Sequence, residues 1–394
     1  MLLTNATVYT KDFRFAPHSQ ITIFSERIAK VEQGLTPSAQ TSSLGAADAA
    51  MGDEVVDVRD LLVLPGLVDI HFHGSMGHDF MEGTEEAVDV IAKYQARSGI
   101  TAICPATMTM SEEDIIKACA NARDYKIKAD GADLVGINME GPFVSPNKVG
   151  AQNPEFVHAP DVEFFRRAQK ASGNKIKLLA IAPEEPNALE TISTLKDEVL
   201  SSIAHTCASY DIAKQAIDNG ATHLTHLYNA MPGLAHRDPG PIAAGADAAW
   251  CEAEIICDGI HIHPAAVRAA FRLFGEERMI LISDSMMAVG LENGTYELGG
   301  QPVYVKNRRA TLASGTIAGS ATNLFDCMKI AHLQMGLPLE TVVRCASYNP
   351  ARSIKVLHDY GSIEAQKMAS LLVVDRDLNL KGVLLRGQWL FREF

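Results

Sequence analysis

The sequence predicts an α/β protein: a TIM-type (β/α)8 barrel carrying a small β-sandwich built from both chain ends. Three observations predict it. Short apolar runs recur eight times between residues 65 and 355, alternating with stretches of helical spacing. Both ends of the chain alternate instead at period two. No Gly-x-Gly-x-x-Gly follows the first run, which weighs against the competing doubly wound open sheet.

At the amino-terminal end, ATVYT, QITIFSE, RIAKVEQ and EVVDVRDLLVLPG place β-branched residues at every second position. Between them, residues 36–53 (TPSAQTSSLGAADAAMGD) are small and polar and read as a surface loop. The eight runs follow: LVDIHFHG (67–74), ITAICPAT (100–107), LVGINMEG (134–141) and IKLLAIAPE (176–184), then SSIAHTCA (201–208), THLTHLYN (222–229), CEAEIICDG (251–259) and MILISDSM (279–286). Each has strand length and is apolar on both faces, as buried parallel strands are. Helical spacing fills the gaps, as in TEEAVDVIAKYQARSG, SEEDIIKACANARDYK and SYDIAKQAIDNG. Thr84 with Glu86 and Ser111 with Asp114 mark helix starts, while Gly99 and Gly220 mark stops. The tail, GSIEAQKMASLLVVDRDLNLKGVLLRGQWLFREF, returns to strand alternation. The expected division is therefore 1–64 and 356–394 for the small β domain, with 65–355 for the barrel.

A chain of 394 residues has room for one large domain and a smaller one. With 47% hydrophobic and 21% charged residues it is neither disordered, fibrous nor disulfide-stapled. Its seven cysteines form no C-x-x-C pair, which suits reduced, mostly buried thiols in the cytoplasm. The start, MLLTNATVYTKDF, lacks the pattern of a signal peptide, and no apolar run approaches the ~18–20 residues of a membrane span. A net charge of −13 without a basic stripe argues against nucleic acid as a partner. An anionic substrate would need a local cationic pocket against that field.

The informative residues are ionisable ones at the carboxyl ends of the runs, where barrel enzymes build their sites. His71 and His73 end the first run as His-Phe-His; residues i and i+2 of a strand share a face, so both imidazoles can reach one ion. Glu140 follows INM, and an unpaired carboxylate there is costly to bury. His205 and His226 interrupt the fifth and sixth runs. Either histidine alone reads as a hydrogen-bonded core residue; together, beside Glu140 and His-x-His, they read as ligands. His223 is out of phase with His226 and reads as structural, as does His263 before Pro264. Asp284 ends the eighth run, where a carboxylate can accept a proton from an attacking water. Nitrogen and oxygen donors without thiolate suit Zn²⁺, Fe²⁺ or Mn²⁺ and do not select among them.

Leu64 to Gly74, LPGLVDIHFHG, resembles the opening signature of the amidohydrolase superfamily. Within it, the chain resembles the N-acetylglucosamine-6-phosphate deacetylases along nearly its whole length. The matching segments are MEGPF (139–143), GAQNP (150–154), AHTCA (204–208), THLYNAM (225–231), GLAHRDPG (233–240), CDGIHIHP (257–264), ISDSM (282–286) and SGTIAGS (314–320). The resemblance implies a metal-bearing barrel with a sandwich from both termini. It implies that Glu140, His205 and His226 hold the principal metal, and that His71 and His73 match the pair that in some members, though not in others, completes a second site bridged by Glu140, so one or two ions are expected per subunit. Asp284 matches the catalytic acid and base. Ala151, Gln152, Asn229, Ala230, His261, Ile317, Ala318 and Gly319 match substrate contacts; some members carry histidine where Gln152 stands. Arg237 matches a phosphate-binding arginine supplied by the neighbouring subunit of a homodimer.

The expected reaction is removal of acetate from N-acetylglucosamine 6-phosphate in amino-sugar catabolism or recycling. Asp284 would deprotonate the attacking water and later protonate the departing amine, with the oxyanion held by metal and His261. N-acetylgalactosamine 6-phosphate is an alternative substrate. A cyclic-amide hydrolase of the same superfamily is a weaker reading, because IAPE ends the fourth run without a bridging lysine. A barrel that lost catalysis would serve as a scaffold, but the intact ligand set speaks against it.

Overall fold

The computed structural model of the chain describes residues 1–35 and 54–394, so the loop expected at 36–53 lies outside the described residues. Each of the eight apolar runs contains a strand, and pairings between neighbouring runs are parallel. Leu67–Asp69, Ile100–Ile103 and Asp133–Leu134 form one sheet. The third run resumes as Ile137–Met139 and opens a six-stranded sheet through Ile176–Ile181, Leu200–Ile203, Ala221–Leu224, Glu252–Ile256 and Met279–Ile282. Backbone bonds join the two sheets beyond their strands. Thr107 N–H donates to Asn138 O at 2.9 Å, and Asn138 N–H to Pro105 O at 2.9 Å. On the other side, Asp284 N–H donates to His71 O at 2.9 Å and His73 N–H to Ser285 O at 2.7 Å.

Alternation along these strands feeds two cores, because successive side chains point to opposite faces. Met279 and Leu281 enter the large core shared with the helices. Ile280 and Ile282 enter an inner core with Val68, Ala102, Leu178 and Ile256. A helix follows each run: Glu85–Arg97, Glu112–Asp124, Val162–Ala171, Ala188–Leu195, Tyr210–Asp218, Gly240–Asp247, Pro264–Phe274 and Leu324–Leu333. The first buries Ala87, Val88, Ile91, Ala92, Gln95 and Ala96, one stripe at helical spacing. Its start is fixed by Thr84, whose hydroxyl accepts from Ala87 N–H, and the next by Ser111, which accepts from Asp114 N–H. Gly99 and Gly220, at φ +87° and +121°, stand just past helix ends, where a Cβ would be strained.

Strands from both ends of the chain share one eight-stranded sheet. Its order runs Gln388–Arg392, Leu380–Leu385, Leu371–Val374, Leu62–Pro65, Leu2–Tyr9, Phe15–Phe24 and Arg27–Glu32, with Val55–Asp57 also paired to Leu2–Tyr9. Leu371 and Val373 pack with Leu3, Val8 and Ile21 in a core of their own, while Leu372 and Val374 turn into the large core. Period two therefore glues this sheet to the parallel body. Arg386 adds a polar tie, donating to the Asp133 carboxylate and to the carbonyls of Gly131, Lys128 and Ala129.

One element escaped the sequence reading. Gly294–Leu298, Gln301–Lys306 and Arg309–Thr311 form an antiparallel meander after the eighth run. Its turns, Gly299-Gly300 and Asn307-Arg308, all have φ between +52° and +78°, the backbone of tight two-residue hairpins. His263 caps Pro264–Phe274 by accepting from Ala265 N–H at 3.2 Å. All seven cysteines are free, with only Cys207 exposed. Among the described residues no helix is long and apolar enough to cross a membrane.

Candidate active site

His71, His205, His226 and Asp284 each stand two residues past a strand, after Asp69, Ile203, Leu224 and Ile282; Glu140 directly follows Met139. The expectation that His71 and His73 share a strand face is corrected here: the strand stops at Asp69, and the segment beyond it brings the two rings together. Phe72 between them is buried in the large core. His205, His226 and Asp284 take φ of +42°, +27° and +50°. Such backbone costs about 1–3 kcal/mol per residue and survives only where the surroundings impose it. For Asp284 the imposing contacts are its N–H on His71 O and its carbonyl accepting from Ser320 N–H at 2.7 Å.

These side chains converge. Glu140 Oε1 lies 3.2 Å from His205 Nε2, 3.2 Å from His226 Nε2 and 3.3 Å from His71 Nε2. Glu140 Oε2 lies 3.4 Å from His73 Nε2, which is 3.2 Å from Asp284 Oδ1. Two ligand groupings result, His71–His73–Glu140 and Glu140–His205–His226, with Glu140 common to both and the atoms of each within 4.8 Å.

Proton positions test whether a cation fits. His205 Nδ1 is 3.0 Å from the Lys148 carbonyl, which only accepts, so the proton sits on Nδ1 and the Nε2 lone pair faces Glu140. His71 Nδ1 is 2.8 Å from the Glu254 carboxylate, which leaves the His71 Nε2 lone pair facing Glu140 as well. His71 Nε2 is buried without a hydrogen-bond partner among the described residues. His205 and His226 oppose their Nε2 atoms at 3.1 Å. Lone pairs thus crowd around a carboxylate, and a divalent cation satisfies them where no proton arrangement serves all. Were a proton to take the ion's place, burial would raise the Glu140 carboxyl, but an imidazolium at His71 would hold it well below its usual range. Asp284 is likewise held low against burial, chiefly by the His73 contact.

Of the cluster, His73, Glu140, His205, His226 and Asp284 line a cavity of about 490 Å³. Of the expected substrate contacts, Ala151, Asn229, Ala230, Ile317 and Gly319 line it, as do Gln152 and His261. Gln152 is spoken for: its amide donates to Glu140 Oε2 at 2.7 Å and its Oε1 accepts from Thr109 N–H at 2.6 Å. Ala318 is buried with its N–H on the Ala310 carbonyl and does not line the cavity. Arg237 is exposed, bonded to His236 Nε2 at 2.7 Å, and is not part of this cavity's wall.

Three acids went unread in the sequence. Asp69 accepts from the Ser283 hydroxyl at 2.5 Å and so ties the first run to the eighth. Asp258 accepts from His261 Nδ1 at 2.7 Å and from the His261 and Ile260 N–H groups. Glu254, fully buried, faces His71 and His223; the His223 ring accordingly turns to Glu254 at 3.2 Å rather than to Glu140. The signal for all three was an acid inside an apolar run.

The relationships of the chain match this geometry. Residues 62–390 fit the model of the amidohydrolase family. The N-acetylglucosamine-6-phosphate deacetylase of Bacillus subtilis (strain 168) is 37% identical over 343 residues, spanning 86% of this chain and 87% of the relative. The N-acetylgalactosamine-6-phosphate deacetylase of Escherichia coli O157:H7 is 32% identical, spanning 83% and 87%. A Mycobacterium smegmatis N-acetyl-D-glucosamine-6-phosphate deacetylase mutant, solved in complex with N-acetyl-D-glucosamine-6-phosphate, is similar with a TM-score of 0.89 at 32% identity, covering 99% and 98% of the two chains. Fold, cluster and matched length agree: the chain belongs to the amidohydrolase family.

Proposed function

We propose that this chain is a divalent-metal-dependent deacetylase that hydrolyses N-acetylglucosamine 6-phosphate to glucosamine 6-phosphate and acetate. The observation that carries the reading is the Glu140 carboxylate facing four imidazoles, three of which line the cavity, with Asp284 beside them. Relatives matched along most of the chain supply the substrate class.

Glu140, His205 and His226 would hold the principal ion, with His71 and His73 forming a second position; Zn²⁺ or Fe²⁺ suits this donor set best, then Mn²⁺. When bound, the metal supplies Lewis-acid polarisation of the acetamide and acidifies the attacking water. Asp284, held ionised, takes the proton of that water and returns it to the departing amine. His261 donates through Nδ1 to Asp258, whose carboxylate raises the ring above its usual pKa; in the imidazolium form Nε2–H would donate to the developing oxyanion. Asn229 and Ala230 orient the sugar. Arg237 serves the phosphate of the neighbouring active site in a homodimer, its planar fork matching phosphate oxygens.

The same reading takes the two parallel sheets as one closed (β/α)8 barrel over residues 65–355. Supporting it are the bonds joining the second run to the third and the eighth to the first. The inner core drawn from alternate residues of several strands supports it too. Residues 1–64 and 356–394 make the small β-sandwich around their own core. Seven free cysteines suit a reducing cytoplasm.

The test is acetate release from both N-acetylated hexosamine epimers, with and without 6-phosphate, after loading with Zn²⁺, Fe²⁺ or Mn²⁺. Turnover of the phosphorylated gluco sugar, absent without metal, is expected. The galacto epimer stays as a second reading because one relative carries that name at 32% identity.

A further inference from the structure

Glu254 is an ionisable side chain at 0% exposure in the middle of the strand Glu252–Ile256, and no step of the proposed reaction uses it. Burying a carboxylate is costly unless its oxygens are all engaged. Here they are. Oε2 lies 2.8 Å from His71 Nδ1 and accepts from the His226 backbone N–H at 3.2 Å. Oε1 lies 3.2 Å from His223 Nε2. The Glu254 carbonyl also accepts from Leu227 N–H at 2.8 Å.

Two of these contacts land on different halves of the ligand cluster. The bond to His71 puts that ring's proton on Nδ1 and aims Nε2 at Glu140. The bonds to His226 and Leu227 hold a turn whose φ of +27° at His226 needs outside support. His223 fills the remaining oxygen and stops the carboxylate from rotating. We propose that Glu254 is a positioning residue that preorganises both halves of the metal centre at once, through the ring of His71 and the backbone of His226. The inference rests on the metal-holding part of the proposed function and not on its substrate. Partners of this kind behind a ligating histidine are worth about 10–100-fold in metal affinity.

The experiment strips full-length protein with a chelator and titrates Zn²⁺ back in competition with a chromogenic chelator. It compares wild type, Glu254→Gln, Glu254→Leu and Glu252→Gln. Glu254→Gln should weaken Zn²⁺ binding about 10-fold and Glu254→Leu about 100-fold. Glu252→Gln, on the same strand but 3.8 Å from His223 and bonded to Arg352, should keep wild-type affinity. In a His71→Asn background the Glu254→Gln loss should shrink, because one of its two targets is gone. Unchanged affinity in Glu254→Gln, an equal loss in Glu252→Gln, or an undiminished loss beside His71→Asn overturns the proposal. If Glu254→Leu does not fold, the isosteric glutamine variant decides alone. Since the readout is metal binding, a protein that binds Zn²⁺ as described yet releases no acetate would sink the substrate assignment and leave this inference standing.

Discussion

His73 Nε2 lies 3.2 Å from Asp284 Oδ1, so a candidate metal ligand and the candidate proton carrier meet at the same point of the cavity wall. In the proposed reaction Asp284 would accept the proton of the attacking water, and the His73 contact holds its carboxyl low enough against burial to keep it ionised. Asp284→Asn keeps the shape and removes the base. Its turnover should fall about 10²–10⁴-fold while substrate affinity stays near wild type. Steady-state acetate release with calorimetric binding checks this; wild-type turnover would remove Asp284 from the mechanism.

Gln152 lines the cavity beside Glu140, its amide donating to Oε2 and its Oε1 accepting from Thr109 N–H. Gln152→Leu strips the carboxylate of a donor and leaves the buried Thr109 N–H unpaired. Loss of such a partner costs about 1–3 kcal/mol. Urea unfolding should report that loss. A variant as stable as wild type would mean that the side chain makes neither bond in solution.

The Asp258–His261 pair sets a pH window. Burial works against both charges, raising Asp258 and lowering His261, yet each partner outweighs it, leaving Asp258 below 3.8 and His261 above 6.5. The Asp258 contribution is present above 3.8 and fades as pH falls through its lower folded value. The His261 contribution is present below 6.5 and fades as pH rises through its higher folded value. Asp258→Asn should thus cost most stability between about pH 4 and pH 6.5, and less on either side. Denaturant unfolding of both proteins across that range checks the shape; a cost independent of pH contradicts it.

Arg237 is exposed and lies outside its own cavity wall, as an arginine destined for a second subunit would. Arg237→Ala should raise KM for the phosphorylated sugar and leave the unphosphorylated one unaffected. Mixed with the Asp284→Asn protein, it should regain activity, because a mixed dimer holds one site with both groups intact. Failure to regain activity, with dimers confirmed by light scattering, places the arginine elsewhere.

Much of this was legible in the chain because the site breaks a pattern. His205, His226 and Asp284 interrupt runs that are otherwise apolar, and each proves to sit two residues past a strand. The strands and caps were legible for the same reason: Thr84 and Ser111 start helices by a local bond that spacing alone reveals. Glu254 and Asp69 were not, since what makes each acid tolerable inside a run is a partner far along the chain, as Ser283 is for Asp69 and His71 for Glu254. The meander at 294–311 follows the eighth run and so stands outside the repeating pattern, although Gly-Gly and Asn-Arg punctuate its alternating stretch. His71 and His73 were paired correctly but by the wrong geometry, because the strand ends sooner than their spacing suggests.

If one cation joins three distant parts of the chain, anomalous diffraction from Zn²⁺-loaded crystals will locate it. A peak is expected at bonding distance, about 2.0–2.2 Å, from Glu140, His205 and His226 together. Saturating Zn²⁺ with no peak there, and those three side chains only hydrogen-bonded to one another, would contradict it.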